Sequence, residues 1–308
     1  TRPSRARGEP RGEVPHGKWG HRGGKHGIRT RAQVSCAACC AVRGKTSHLL
    51  GTWEEEFRMK IVYVVPGTMD EKEMARRGKL LREWAAPGVQ VDITGVTEGP
   101  ASIESMYEEY LSVPATAKKM FELEQQGYDA AILGCAGDPG LDAMREITSK
   151  MLVVGPAESS FVVAAMLGYK FSLLTVTDSM IPSSYELVHK AGVAAKLASV
   201  RAVNVPVLEL AANRQATLEK IIALGRRAIE EDGAHVLVLG CMSMGFLNVA
   251  EDVQAALGVP VVNPSKVALK VAEALVGSNL RHSKKAFALP PKLAAGKVGS
   301  IDDLYVRL

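Results

Sequence analysis

Cys135 and Cys241 each close an apolar run with the same Leu-Gly-Cys step, and they stand 106 residues apart in the chain. A thiol can bridge to another thiol, bind a metal, exchange redox equivalents or move a proton. A permanent bridge between these two would shut any space they share. Redox exchange favours a Cys-x-x-Cys pair, which neither site has, and a metal would need ligands that neither loop supplies, since no histidine is close by. Acid–base chemistry needs only two groups on opposite faces of one carbon. One thiolate takes a proton from the first face, and one thiol returns a proton to the second. The small neighbours Ala136, Gly137, Ser243 and Gly245 leave room for a ligand beside the sulfurs. Both cysteines precede expected helix starts, where amide dipoles should lower a thiol from about 8.5 toward neutrality.

The elements that must hold these residues repeat with the same spacing. Gly127-Tyr-Asp-Ala-Ala-Ile-Leu-Gly-Cys135 matches Gly233-Ala-His-Val-Leu-Val-Leu-Gly-Cys241 position by position in type. Apolar runs predict strands at 61–65, 89–94, 130–133 and 152–154, then again at 171–176, 199–203, 236–239 and 259–262. Helical periodicity predicts helices at 69–84, 115–126, 158–167, 184–190, 217–231, 247–257 and 265–276. Asp138-Pro139 reads as an N-cap and first-turn pair for one more. Alternating strand and helix units make parallel sheets covered on both faces. The expected fold is therefore α/β: two pseudo-symmetric, doubly wound parallel-sheet lobes with a cleft between them. Residues 59–156 plus 264–285 would form the first lobe, and 157–263 the second. Residues 286–308, with Pro290-Pro291, read as a C-terminal arm reaching a neighbouring subunit or lying loosely on the surface. Ligands of such sheets bind beyond the carboxyl ends of the strands, where both cysteines fall.

Composition sets the remaining bounds. The net charge of +5 belongs to residues 1–58, which hold twelve Lys/Arg against five Asp/Glu and no sustained apolar period. The other 250 residues carry 26 basic and 28 acidic side chains, a balance of −2, so the overall positive charge is no sign of nucleic acid binding by the folded part, and no nucleic acid partner is expected. Residues 1–58 read as a disordered or non-native leader, with a genuine basic arm as the rival reading. Trp53-Glu54-Glu55-Glu56 back-translates to a sequence that can contain GGAGGAG, a ribosome-binding sequence just before Met59. Cys36, Cys39 and Cys40 lie in this segment without a second ligand pair, so no metal is expected. With only two cysteines left in the body, a disulfide framework is excluded and a reducing, cytoplasmic setting is expected. The longest apolar stretch, 161–176, is broken by Gly168 and Lys170, so no membrane span is expected. Neither a Gly-x-Gly-x-x-Gly nor a complete phosphate loop is present, and no cofactor is expected.

Four segments carry a likeness to a known family. Gly99-Pro-Ala-Ser-Ile-Glu104, Gly134-Cys-Ala-Gly-Asp-Pro-Gly-Leu-Asp142, Gly233–Cys241 and Gly258-Val-Pro-Val-Val262 make residues 59–285 resemble the aspartate/glutamate racemase superfamily, in its hydantoin and allantoin racemase branch. The resemblance implies cofactor-independent racemisation of a small amino acid or its hydantoin or ureide derivative, with Cys135 and Cys241 as the two bases, in a homo-oligomer. It also marks the first strand's loop as a substrate site. The family often reads Asn-Pro-Asn-Thr there, and this chain has Val65-Pro66-Gly67-Thr68. After the last strand, hydantoin-type members tend to have Asp-Gly where this chain has Asn263-Pro264. Candidate substrate-binding residues are Pro66, Gly67, Thr68, Ser102, Ala136, Thr175, Thr177, Met242 and Ser243. Ser102 has a helix cap as its alternative role, Met242 simple packing, and Glu158 is a further carboxylate that would reach the cleft. His189, His235 and His282 read as surface or internally satisfied. A decarboxylase or cis–trans isomerase of the same fold, and a non-catalytic maturation or ligand-binding protein, are the other functions this sequence admits.

Overall fold

The computed structural model of the chain describes residues 59–304. Residues 1–58, with Cys36, Cys39 and Cys40, and residues 305–308 lie outside the described residues. The first sheet contains β1 (Met59–Val65), β2 (Val89–Gly95), β3 (Ala130–Leu133) and β4 (Leu152–Val154) in the order β2-β1-β3-β4, all parallel. The second contains β5 (Phe171–Thr175), β6 (Leu197–Ala202), β7 (Val236–Leu239) and β8 (Val261–Val262) in the equivalent order β6-β5-β7-β8, again all parallel. The expected pair of α/β lobes is the architecture observed.

Continuous apolar strands are required because each sheet is covered twice. Along β1, Ile61, Tyr63 and Val65 face α1 (Glu71–Trp84) and α9 (Pro264–Gly277), meeting Leu81, Ala268, Leu269 and Ala272. Val62 and Val64 point the other way, toward Met120 and Leu123 of α2 (Met106–Gln125) and Leu141 and Met144 of α3 (Leu141–Ile147). This is the period of two expected of a strand, with both faces buried. In the second lobe, Leu174 faces α6 (Arg214–Glu230) and α8 (Ala250–Leu257), while Phe171 and Leu173 face α4 (Pro156–Leu167) and α5 (Ile181–Lys190). Between β7 and α8 lies the short helix α7 (Met242–Phe246).

Several boundaries differ from the sequence reading, each for a physical reason. The helix expected from Ala115 starts nine residues earlier, at Met106. Ser105 caps it, accepting from the Glu108 amide at 3.3 Å, and Glu108 Oε2 accepts from the Glu104 amide at 2.8 Å. This reciprocal cap outweighs the interruption at Pro114. Asp138 does not cap α3. Its backbone has φ 48°, Gly140 at φ 66° precedes the helix, and the Asp138 carboxylate instead accepts from the amides of Ala157 and Glu158 at 3.0 and 2.9 Å. It therefore caps α4, across the chain. The helix expected over 247–257 is α8, which starts at Ala250, and the short helix α7 precedes it, with Asn248 at φ 54° in the turn between them. The arm after residue 285 folds back on its own chain as far as it is described: Phe287 packs against His282 and Arg145, and Asp302 pairs with Lys118 at 2.9 Å. His282 takes the internally satisfied of its two expected roles: half-buried, its ring bonds the Val153 backbone. Among the described residues, no helix is long and apolar enough to cross a membrane.

Candidate active site

The order β2-β1-β3-β4 places a topological switch point between β1 and β3, because the chain runs outward from β1 to β2 and then crosses back over β1. The second sheet has its switch point between β5 and β7. Ligand clefts of parallel sheets open at these points. Cys135 leaves the end of β3 and Cys241 the end of β7, so each lobe offers one thiol at its own switch point. The two turns are built alike. Gly134 N donates to Val64 O and Gly240 N to Leu174 O, both at 2.8 Å, continuing the strand ladder by one bond. A Cβ on Gly134 would lie 2.5 Å from Val64 O, and one on Gly240 2.9 Å from Leu174 O. Glycine is needed before each cysteine because a neighbouring backbone occupies the place of a side chain. Tyr63, fully buried on β1, donates its hydroxyl to Gly134 O at 3.1 Å and braces the Cys135 turn from below.

Both cysteines line one cleft of about 100 Å³. The cleft takes its walls from both lobes. Pro66, Gly67, Thr68, Ser102 and Ala136 come from the first, and Thr175, Met242 and Ser243 from the second. Thr177 does not line it; its hydroxyl pairs with Ser179 Oγ at 2.8 Å. Glu158 is also elsewhere, paired with Arg145. Ser102 is not a helix cap, since Ser105 takes that role. Met242, only 2 % exposed, both touches the cleft and packs in the first lobe's core. Gly67 stands where a side chain would strike Pro100 O at 2.2 Å, so the two loops of the first lobe pack directly on each other. Asn263 caps α9, accepting from the amides of Ser265 and Lys266, and holds α7 by donating to Gly245 O at 3.0 Å. The Asn-Pro step at this position is thereby tied to helix docking.

The thiols do not behave as helix-start cysteines. Burial pushes both above the ordinary thiol range. For Cys135 the expected dipole is missing, because five loop residues separate it from α3, and among the described residues one amide, Gly137 N at 3.4 Å, donates to its sulfur. Cys241 is the N-cap residue of α7 but makes no capping hydrogen bond, so amide dipoles only partly offset its desolvation.

Two charged side chains at the site went unread in the sequence. Arg77, on α1 and 7 % exposed, lines the cleft. Its guanidinium donates to Ser243 Oγ at 3.0 Å and to Glu73 Oε1 at 2.7 Å, and lies 4.9 Å from the centre of the Phe246 ring. Arg76 donates to Phe246 O at 2.8 Å. Phe246 in turn packs edge-on to Tyr63 and stacks with Trp84, so α1 of one lobe grips α7 of the other. Glu109, on α2 and 6 % exposed, has an Oε1 with no hydrogen-bond partner among the described residues. Burial, with Asp138 and Glu186 nearby, raises its carboxyl to about 7. Asp138 is likewise raised to about 7 by burial, against the pull of its two amide donors. Among the described residues, no group of three or more His, Cys, Asp or Glu is placed to hold a metal ion.

The chain has known relatives. Residues 74–272 match the model of the Asp/Glu/hydantoin racemase family. A hydantoin racemase of Pseudomonas sp. (strain NS671) is 39 % identical over 195 residues, which are 63 % of this chain and 77 % of that protein. One of Rhizobium meliloti is 36 % identical over 208 residues, 67 % of this chain and 85 % of that protein. Among solved structures, the allantoin racemase from Klebsiella pneumoniae superposes with a TM-score of 0.71 at 31 % identity, covering 76 % of this chain and 94 % of that one. The two sheets with equivalent strand orders, the shared cleft and these likenesses converge: the chain belongs to the Asp/Glu/hydantoin racemase family, in its hydantoin racemase branch, and is a racemase.

Proposed function

We propose that this racemase acts on a hydantoin-type ring, the cyclic ureide of a small amino acid, and that Cys135 and Cys241 are its acid and base. The observation that carries the reading is the placement of one thiol from each sheet's switch point in a single small cleft. A ring presented edge-on between the lobes has its stereogenic Cα open to one sulfur on each face. The thiolate removes the Cα proton, and the electron pair left on carbon spreads onto the adjacent ring carbonyl. The opposite thiol then delivers its proton to the other face, inverting the centre. The first cysteine ends as the thiol and the second as the thiolate. Hydroxyls of Thr68, Ser102, Thr175 and Ser243 surround the cleft and offer donors and acceptors for the ring's amides and carbonyls. The relatives named as hydantoin and allantoin racemases support this substrate class.

The test is Cα deuterium exchange in D₂O. Wild-type enzyme should wash deuterium into a 5-substituted hydantoin while its optical rotation decays. Cys135→Ser and Cys241→Ser should each lower racemisation by about 10²–10⁴-fold, the usual contribution of a positioned proton-transfer group. Full racemisation in either variant removes the two-thiol mechanism. Carbon dioxide release from a malonate-type acid, with no exchange on hydantoins or amino acids, replaces this substrate reading with decarboxylation.

A further inference from the structure

The two thiols share a cleft but not an environment. Cys241 faces the guanidinium of Arg77 from α1 and the amides of Ser243 and Met244, with the Ser243 hydroxyl bridging toward Arg77. Glu73 neutralises only one of the two guanidiniums it touches, Arg76 and Arg77, so the α1 wall keeps a positive charge. Cys135 faces the opposite sign. Glu109 from α2 and Asp138 from its own loop are the charged groups on its side. A Cβ on Gly137 would sit 2.2 Å from Glu109 Oε1 and 3.6 Å from Cys135 Sγ, so no side chain stands between the carboxyl and the thiol. Tyr63 from β1 lies near both cysteines, and its phenol stays protonated because burial raises it.

We propose that Arg77 and Glu109 divide the two roles: Arg77 makes Cys241 the thiol that ionises first, and Glu109 holds Cys135 as the proton-bearing partner. This rests on the reading of the cysteines as base and acid. Both are positioning residues that act through a sulfur. At the pH where thiols ionise, Glu109 is itself a carboxylate, and a second negative charge beside it is disfavoured. Of the two singly ionised arrangements, a proton on Cys135 and a negative charge on Cys241 is then the favoured one. The cleft is poised to abstract from the face that Cys241 covers.

The experiment is site-resolved alkylation of the full-length protein by iodoacetamide across pH 6–10 without substrate, each cysteine being quantified by peptide mass spectrometry. The midpoint for Cys241 should lie below that for Cys135. Arg77→Met should raise the Cys241 midpoint by about one pH unit or more and leave Cys135 in place, the size expected of a nearby opposite charge. Arg77→Lys, which keeps the charge, should restore most of that shift. Glu109→Gln should lower the Cys135 midpoint alone. Equal midpoints, a lower midpoint for Cys135, or a Cys241 midpoint unmoved in Arg77→Met overturns the proposal. Thiol ionisation is read without turnover, so a failure of the hydantoin assignment in the exchange experiment leaves this result interpretable.

Discussion

Gly134 has no freedom to be anything larger, since the oxygen of Val64 and the ring of Tyr63 lie 2.5 and 2.9 Å from where its Cβ would be. Gly134→Ala must push the Cys135 turn away from β1 and stretch both the Gly134–Val64 and Tyr63–Gly134 hydrogen bonds. A loss of about 1–3 kcal/mol follows from forcing atoms into a packed site. Chemical denaturation should show it, and an unchanged midpoint would contradict the backbone clash. The cysteines and their glycines were legible because a duplicated nine-residue string marks them. Arg77 and Glu109 were not. Arg77 sits on a helix among other charged residues and reads there as part of a solvated face, and Glu109 falls in a stretch where the sequence reading placed no helix. Arg77 is buried by α7, and its partner Ser243 is 166 residues away, a meeting no local pattern announces.

At the scale of elements, the strands were readable because burial on both faces demands unbroken apolar runs. Their order within each sheet was not, as neighbours β1 and β3 are chosen by packing and not by adjacency in the chain. The clearest loss was the first two turns of α2. The sequence reading began this helix at Ala115, past Pro114, although Ser105-Met-Tyr-Glu108 carries the capping signature. That misplacement is what hid Glu109. Ser105→Ala should remove the cap and cost about 1 kcal/mol, read in urea unfolding. If stability is unchanged, the Glu104–Glu108 bond alone suffices to start the helix. The duplicated loops also misled in one respect: the dipole expected at Cys135 requires a helix that begins there, and α3 begins six residues later.

For the whole molecule, acid sensitivity is expected at the seam where the C-terminal segment meets the first lobe. Burial and the nearby Arg145 lower His282 from 6.5 to about 4. Below pH 6.5 the unfolded chain accepts a proton that the folded chain refuses. The His282 contribution is therefore fully present above pH 6.5 and is lost as pH falls toward 4. Glu109 and Asp138, both raised, work in the opposite direction, so the contribution of His282 is the difference between wild type and His282→Gln. Melting temperatures at pH 7.5 and 4.5 should fall further for wild type than for the variant; equal falls would place the acid sensitivity elsewhere.

The first lobe starts at β1 but is not sealed until α9, because Ala268, Leu269 and Ala272 cover the face of the sheet that carries Ile61, Tyr63 and Val65. The strands and helices of the second lobe, by contrast, come from one unbroken stretch of chain between α4 and β8. During synthesis the lobe that emerges first is thus the last to be completed, and the part of its apolar sheet that α9 covers waits bare until the chain has been made through Gly277.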